Sequence, residues 1–196
     1  VVSQFESLGV DVPIVREAMQ HNSFWLESRF GSAVRVVGGA PTGVITIAPM
    51  SSDATLLAVV AHESAHDAMI RRASEAQISQ MFGVVRSELL GKSFTPVTGT
   101  SMPIDAAVVD VATHEAIASL VGWKVDRWAT AALNLQEARQ RLSSGGARDE
   151  FEREVSFIGT TFERSPGINE GRGDVPGLGL TPHLSEATRD LVLSVL

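Results

Sequence analysis

Two histidines one helical turn apart, with a glutamate between them, constrain this chain more than any other feature: His62-Glu63-Ser64-Ala65-His66. On an α-helix, residues i and i+4 project from the same face, so both imidazoles can reach one metal ion. Glu63 is displaced around the helix, placed to take a proton from a water on that metal rather than to bind the metal itself. The flanking sequence predicts the helix, over residues 54–72. Ser51, Ser52 and Asp53 offer N-caps, while Leu56, Leu57, Val60 and Ala61 recur at helical spacing. The Arg71-Arg72 pair suits the negative end of the helix dipole. With 5 His and 14 Glu in 196 residues, chance supplies this pattern about 0.01 times per chain.

Two histidines leave a catalytic metal site incomplete, and a third protein ligand is required. Downstream candidates are Glu88, Asp110, His114, Glu115 and His183. Glu115 lies inside a long predicted helix, 103–142, with Pro103 as its first-turn residue. On its own side it has Val108, Val111, Ala112, Ala118, Ser119 and Gly122, a small and apolar face that lets a helix pack closely and present one carboxylate. Glu88 has Arg86 nearby and Lys92 one turn on, so a surface ion pair accounts for it. Glu115 is therefore the preferred ligand. His21 and His114 read as ordinary surface or core histidines, since His114 points about 100° away from its neighbour Glu115. Two imidazoles, a carboxylate and an open position favour Zn2+, one ion per chain.

The rest of the chain predicts an α+β fold that is mostly α, with a small antiparallel sheet next to the motif helix. Residues 14–25 carry a rough helical pattern after Pro13. The β-branched runs 33–37 and 44–47 flank a Gly/Pro-rich loop, as in a hairpin. Further helices are expected over 73–90, 149–157 and 185–196. Residues 159–182 hold six glycines and three prolines, which reads as a lid or flexible loop. Trp25, Trp123 and Trp128 are expected in the core or along a groove.

Composition excludes several classes. At 196 residues and 44% apolar content the chain suits a single domain, 1–196, with a real core. A net charge of −7 argues against tracking nucleic-acid phosphates. No apolar run approaches the ~18 residues of a membrane span. Cysteine is absent, so disulfides, thiolate nucleophiles and Cys-type zinc sites are excluded. The start at Val1-Val2, without Met or signal-like pattern, leads us to expect a processed product or a domain excised from a longer chain.

Residues 58–66, preceded by the strand-like 43–47, resemble the approach to the zinc motif in gluzincin metallopeptidases, and among them the family of CAAX prenyl endopeptidases and bacterial quality-control metalloproteases. That family follows its motif with a helix reading E-x-x-A-D-x-x-G, and Glu115, Ala118, Ser119 and Gly122 stand in that register. The resemblance implies a zincin-like fold, a zinc endopeptidase activity and Glu115 as third ligand. Ser119 replaces the family's Asp, so the partner orienting a zinc histidine would come from elsewhere, such as Asp110 or Asp126. The family also carries His-Pro near its C-terminus with an Arg six residues after the His. His183 and Arg189 keep that spacing, with Pro182 preceding rather than following. By resemblance they bind substrate or the transition-state oxyanion, a role sharpened by the absence of tyrosine. The family's membrane helices are missing, which points to a soluble or distant member.

The resulting expectation is hydrolysis of peptide bonds by a metal-activated water with Glu63 as general base, on a peptide or protein substrate lying along the strand at 44–47. Two other readings accompany it. One is the toxin or effector module of a larger secreted protein, partnered by a parent polypeptide or a cognate inhibitor. The other is a catalytically silent binding domain on a zincin scaffold. A secreted or periplasmic location is favoured over a cytoplasmic one.

Overall fold

Local signals set the first half of the chain. In the computed structural model, which describes residues 1–27, 31–50, 52–94, 101–143 and 178–196, a short helix α1 (Val2–Ser7) precedes α2 (Pro13–His21), where Pro13 occupies the first turn. The α2 helix stops at Asn22, whose extended backbone starts strand β1 (Ser23–Leu26). The sequence pattern carried that helix on to residue 25. Strands β2 (Ala33–Val37) and β3 (Ala40–Ile47) form the expected hairpin. Its turn is shorter than the Gly/Pro-rich stretch suggested, because Gly38 and Gly39 both have positive φ (59° and 83°) and close a two-residue turn.

The sheet order is β1-β3-β2, with β3 parallel to β1 and antiparallel to β2. Strand β3 is thus central and paired on both sides. The expectation that a peptide adds along 44–47 is corrected here: among the described residues the edges of the sheet are β1 and β2. A register shift between Val34 and Val36 bends the β2–β3 ribbon.

Helix α3 (Asp53–Arg71) carries the His-Glu-His motif, and of the three offered caps Ser52 is the one used. Its Oγ accepts the Thr55 N–H at 3.1 Å, a bond worth about 1 kcal/mol. After a turn, α4 (Ala76–Leu89) leads into a two-residue ribbon of β4 (Ser93–Phe94) and β5 (Met102–Pro103). Pro103 lies in β5 rather than opening a helix, and α5 begins later, at Val109, and runs to Ser143. The chain then passes through a 3₁₀ turn (Leu178–His183) into α6 (Glu186–Val195), capped by Ser185. The expected helix at 149–157 and the 159–177 part of the expected lid lie outside the described residues. Positions 178–182 belong to the 3₁₀ turn, where Leu180 and Thr181 are buried.

The molecule is mostly helical, with the small sheet against the motif helix. Helices α3 and α5 form its principal packing contact. Small residues make that contact close: Ala58, Ala61, Ala65 and Ala68 on α3, and Ala116, Ala118 and Ser119 on α5, are all buried to 0% exposure. Leu57, Met69, Met81, Ile117 and Leu120 fill the surrounding core. Trp25 is 63% exposed on β1 and lines an apolar groove with Phe24 and Leu56, so it lies outside the core. Among the described residues no helix is long and apolar enough to cross a membrane.

Candidate metal centre

Close packing of α3 on α5 brings His62, His66 and Glu115 together. The two Nε2 atoms stand 3.1 Å apart, Glu115 Oε2 is 3.6 Å from His62 Nε2, and Glu115 Oε1 is 3.5 Å from His66 Nε2. Donors placed tetrahedrally at ~2.0–2.1 Å from a zinc ion are separated by about 3.3 Å. The imidazole pair lies close to that value, and each nitrogen has a different Glu115 oxygen near it, so the carboxylate faces both rings with its two oxygens. Among the described residues, this is the group of three metal-ligating side chains whose donor atoms converge, all within 4.8 Å.

The protonation states fit the same purpose. Two Nε2–H groups cannot face each other at 3.1 Å, so at least one imidazole turns a lone pair into the site. Burial, helped by His62 and His114, drives the His66 pKa down to about 4, leaving that ring neutral. Glu115 is held below the usual carboxylate range, first by its contact with His62 and then by the field of His66, against the opposing effect of burial. Metal binding demands a neutral imidazole and an ionised carboxylate.

Glu63 lies beside this trio, 4% exposed. Burial raises its pKa to about 7, Glu115 adds to the rise, and His62 and a hydrogen bond from the Val34 backbone oppose it. The edge strand β2 therefore reaches the motif helix at its general-base candidate. All four residues open onto a cleft of about 440 Å3 whose other walls include Ala33, Val34, Ile70, Asp110, Val111 and His114. Glu115 keeps 35% of its side chain exposed, so the group of three side chains is open on the cleft side.

The site residues expected near the C-terminus lie elsewhere. His183 Nε2 bonds the Ser93 carbonyl oxygen at 2.9 Å, and Arg189 lies on α6, which packs on α4 and α5. Neither lines the cleft. Glu88, read as one half of a surface ion pair, instead accepts hydrogen bonds from Ser185 N–H (2.8 Å), Ser185 Oγ (2.8 Å) and Thr188 Oγ1 (2.7 Å). Its presumed partner Arg86 binds Asp110 at 2.7 Å.

His114, weighed as a ligand and read as an ordinary surface or core histidine, is not in the converging trio but lies on the cleft wall. Its ring stacks on His66 at 6.1 Å and meets Phe82 edge-on at 5.0 Å, on the cleft wall. Its place there follows from helical spacing: Asp110 and His114 are one turn apart, beside Val111 and Glu115, and the cleft takes both stripes. The orienting partner sought for a zinc histidine is also absent where it was expected. His62 Nδ1 is buried with no hydrogen-bond partner among the described residues, Asp110 is engaged by Arg86, and Asp126 lies eleven residues beyond Glu115, about 16 Å along the helix. Comparison with family models, with curated proteins and with solved structures finds no match.

Proposed function

We propose that this chain is a zinc-dependent endopeptidase of the gluzincin kind. The observation that carries the reading is the convergence of three metal-ligating side chains from two helices, one donor atom of each within 4.8 Å of the others, with a buried carboxylate next to them in an open cleft. His62, His66 and Glu115 would hold the ion. Zinc held by these residues would supply Lewis acidity, lowering the pKa of the attacking water and polarising a substrate carbonyl.

The chain's own residues do the rest. Glu63 accepts the proton that the attacking water loses, then delivers it to the nitrogen of the leaving amine, so the peptide bond is exchanged for a carboxylate and an amine. A pKa near 7 suits a group that must take and return one proton at neutral pH. Burial of Glu63 keeps bulk water from competing for that proton. The substrate backbone pairs along the outer edge of β2, where Ala33 and Val34 border the cleft and the Val34 backbone already reaches Glu63. His114, at the cleft wall, is the imidazole within reach of substrate, where the family resemblance had pointed to His183 and Arg189.

Zinc content by elemental analysis tests the metal, with one equivalent expected for the wild type and none for Glu115→Ala. Peptide hydrolysis by the zinc-loaded wild type, lost in Glu63→Gln with zinc retained, tests the reaction. A zinc-loaded wild type as inactive as Glu63→Gln towards a broad peptide mixture would turn the reading towards a binding domain.

A further inference from the structure

A second cavity, of about 360 Å3, adjoins the metal cleft and shares two of its walls, Ile70 and His114. Its remaining lining is largely apolar: Met69 and Ile78 are buried at its floor, Phe82 flanks it, and Ser79 and Ala73 stand exposed at its rim. Gly39, from the turn at the far end of β2, closes one side. The metal cleft touches β2 at its beginning (Ser32, Ala33, Val34), and this cavity touches the hairpin at its tip. The two cavities are therefore ordered along the strand.

That order gives a direction. A peptide added to the edge of β2 forms the more stable ladder when antiparallel. It then runs from the Gly39 end towards the Ser32 end, so the residues preceding the scissile bond pass the apolar cavity and those following it do not. We infer that the Met69–Ile78–Phe82 cavity is a specificity pocket that takes an aliphatic or aromatic side chain from the N-terminal side of the bond to be cut. The inference rests on the proposed zinc endopeptidase reading and adds to it the class of substrate. Burying a leucine side chain there rather than in water is worth at least a tenfold gain in affinity.

Equilibrium binding tests this without any turnover. Two short peptides ending in a C-terminal hydroxamate, which chelates zinc and leaves its peptide on the N-terminal side, are compared: one with leucine next to the hydroxamate, one with glycine. A third compound carries its leucine on the other side of the hydroxamate. The zinc-loaded chain should bind the first at least tenfold tighter than the second. The third should show no such gain over its own glycine counterpart. In Ser79→Trp, which fills the pocket from an exposed position and so spares the core, the leucine gain should collapse to below threefold while the glycine compound binds as before. Zinc uptake with equal affinity for leucine and glycine compounds overturns the pocket and leaves the metal centre standing. A leucine gain confined to the third compound overturns the direction and with it the assignment. No zinc uptake by the wild type overturns pocket and metal centre together.

Discussion

Two glutamates on neighbouring helices, Glu88 and Glu115, were rivals for the same role, and their surroundings separate them. Glu88 meets three hydrogen-bond donors, from the backbone and hydroxyl of Ser185 and the hydroxyl of Thr188. Those bonds, with the positive field of Arg189, outweigh partial burial and hold its pKa below the usual range. Its oxygens are satisfied and need no cation. Glu115 meets two imidazole nitrogens that face each other, one on a ring driven neutral by burial. Lone pairs there outnumber protons. A carboxylate among donors closes a helix end, whereas a carboxylate facing two imidazoles, at least one of them with its lone pair turned inward, belongs to a group that could hold a positive ion.

The sharpest break in that comparison comes from the reacting carboxylate beside Glu115. Glu63→Gln should retain one zinc and lose hydrolysis by ~10²–10⁴-fold, because an amide cannot carry the proton. Retained activity would remove Glu63 from the mechanism. The matched pair Glu115→Ala and Glu88→Ala then sets the two glutamates against each other. Saturating zinc at a thousand times its dissociation constant stabilises a folded chain by about 4 kcal/mol. A calorimetric scan with and without zinc should show that increment in wild type and in Glu88→Ala, and none in Glu115→Ala. Loss of the increment in Glu88→Ala instead would reassign the site.

Burial of Glu63 gives a pH signature in the metal-free chain. Its carboxyl titrates at about 7 when folded and at 4.5 in the ordinary state, so between those values the native state binds more protons than the unfolded one. Stability from this group is then fully present below pH 4.5 and is lost as pH rises through 7, by up to about 3 kcal/mol. His66 slopes the other way. Its lowered pKa makes stability rise between about 4 and 6.5. Subtracting the profile of Glu63→Gln from that of the wild type, in chelator, isolates the Glu63 contribution. A flat difference between pH 4.5 and 7 would mean that Glu63 is ionised when folded and poorly matched to proton transfer at neutral pH.

How legible was all this? The motif helix was read to within a residue at each end, because cap, periodicity and closing arginines are all local. The place of Glu115 against the histidines was legible from Ala118, Ser119 and Gly122, which are buried and let the helices pack closely, whereas Val108 and Val111, read as part of the same face, are exposed. Strand β1 was not, since Phe24, Trp25 and Leu26 extend the apolar run of α2 without a break in period, and only pairing with β3 makes them a strand. Pro103 suits a first helical turn or a strand equally, and its pairing with Ser93 decides. Glu88 failed for the same reason. Its true partners are 97 and 100 residues away, whereas Arg86 and Lys92 were the neighbours in view.

The smaller effects probe the far side of that contrast, where α6 docks. Removing Glu88 to alanine leaves the Ser185 N–H and two hydroxyls without their acceptor, on a partly exposed surface, and should cost about 1–2 kcal/mol in urea unfolding. His183→Ala should cost less, about 0.5–1 kcal/mol, since a single exposed hydrogen bond to the Ser93 carbonyl is lost. The functional consequence is the sharper test. If His183 stabilised an oxyanion, its loss would lower kcat by ~10²–10³-fold with KM little changed. If its work is to tie the 3₁₀ turn to β4, kcat stays within about twofold of wild type once the chain is folded. The geometry favours the second outcome, because His183 is already bonded to a main-chain oxygen and takes no part in the cleft walls. A large fall in kcat would instead show that the C-terminal turn reaches the metal cleft in the working enzyme.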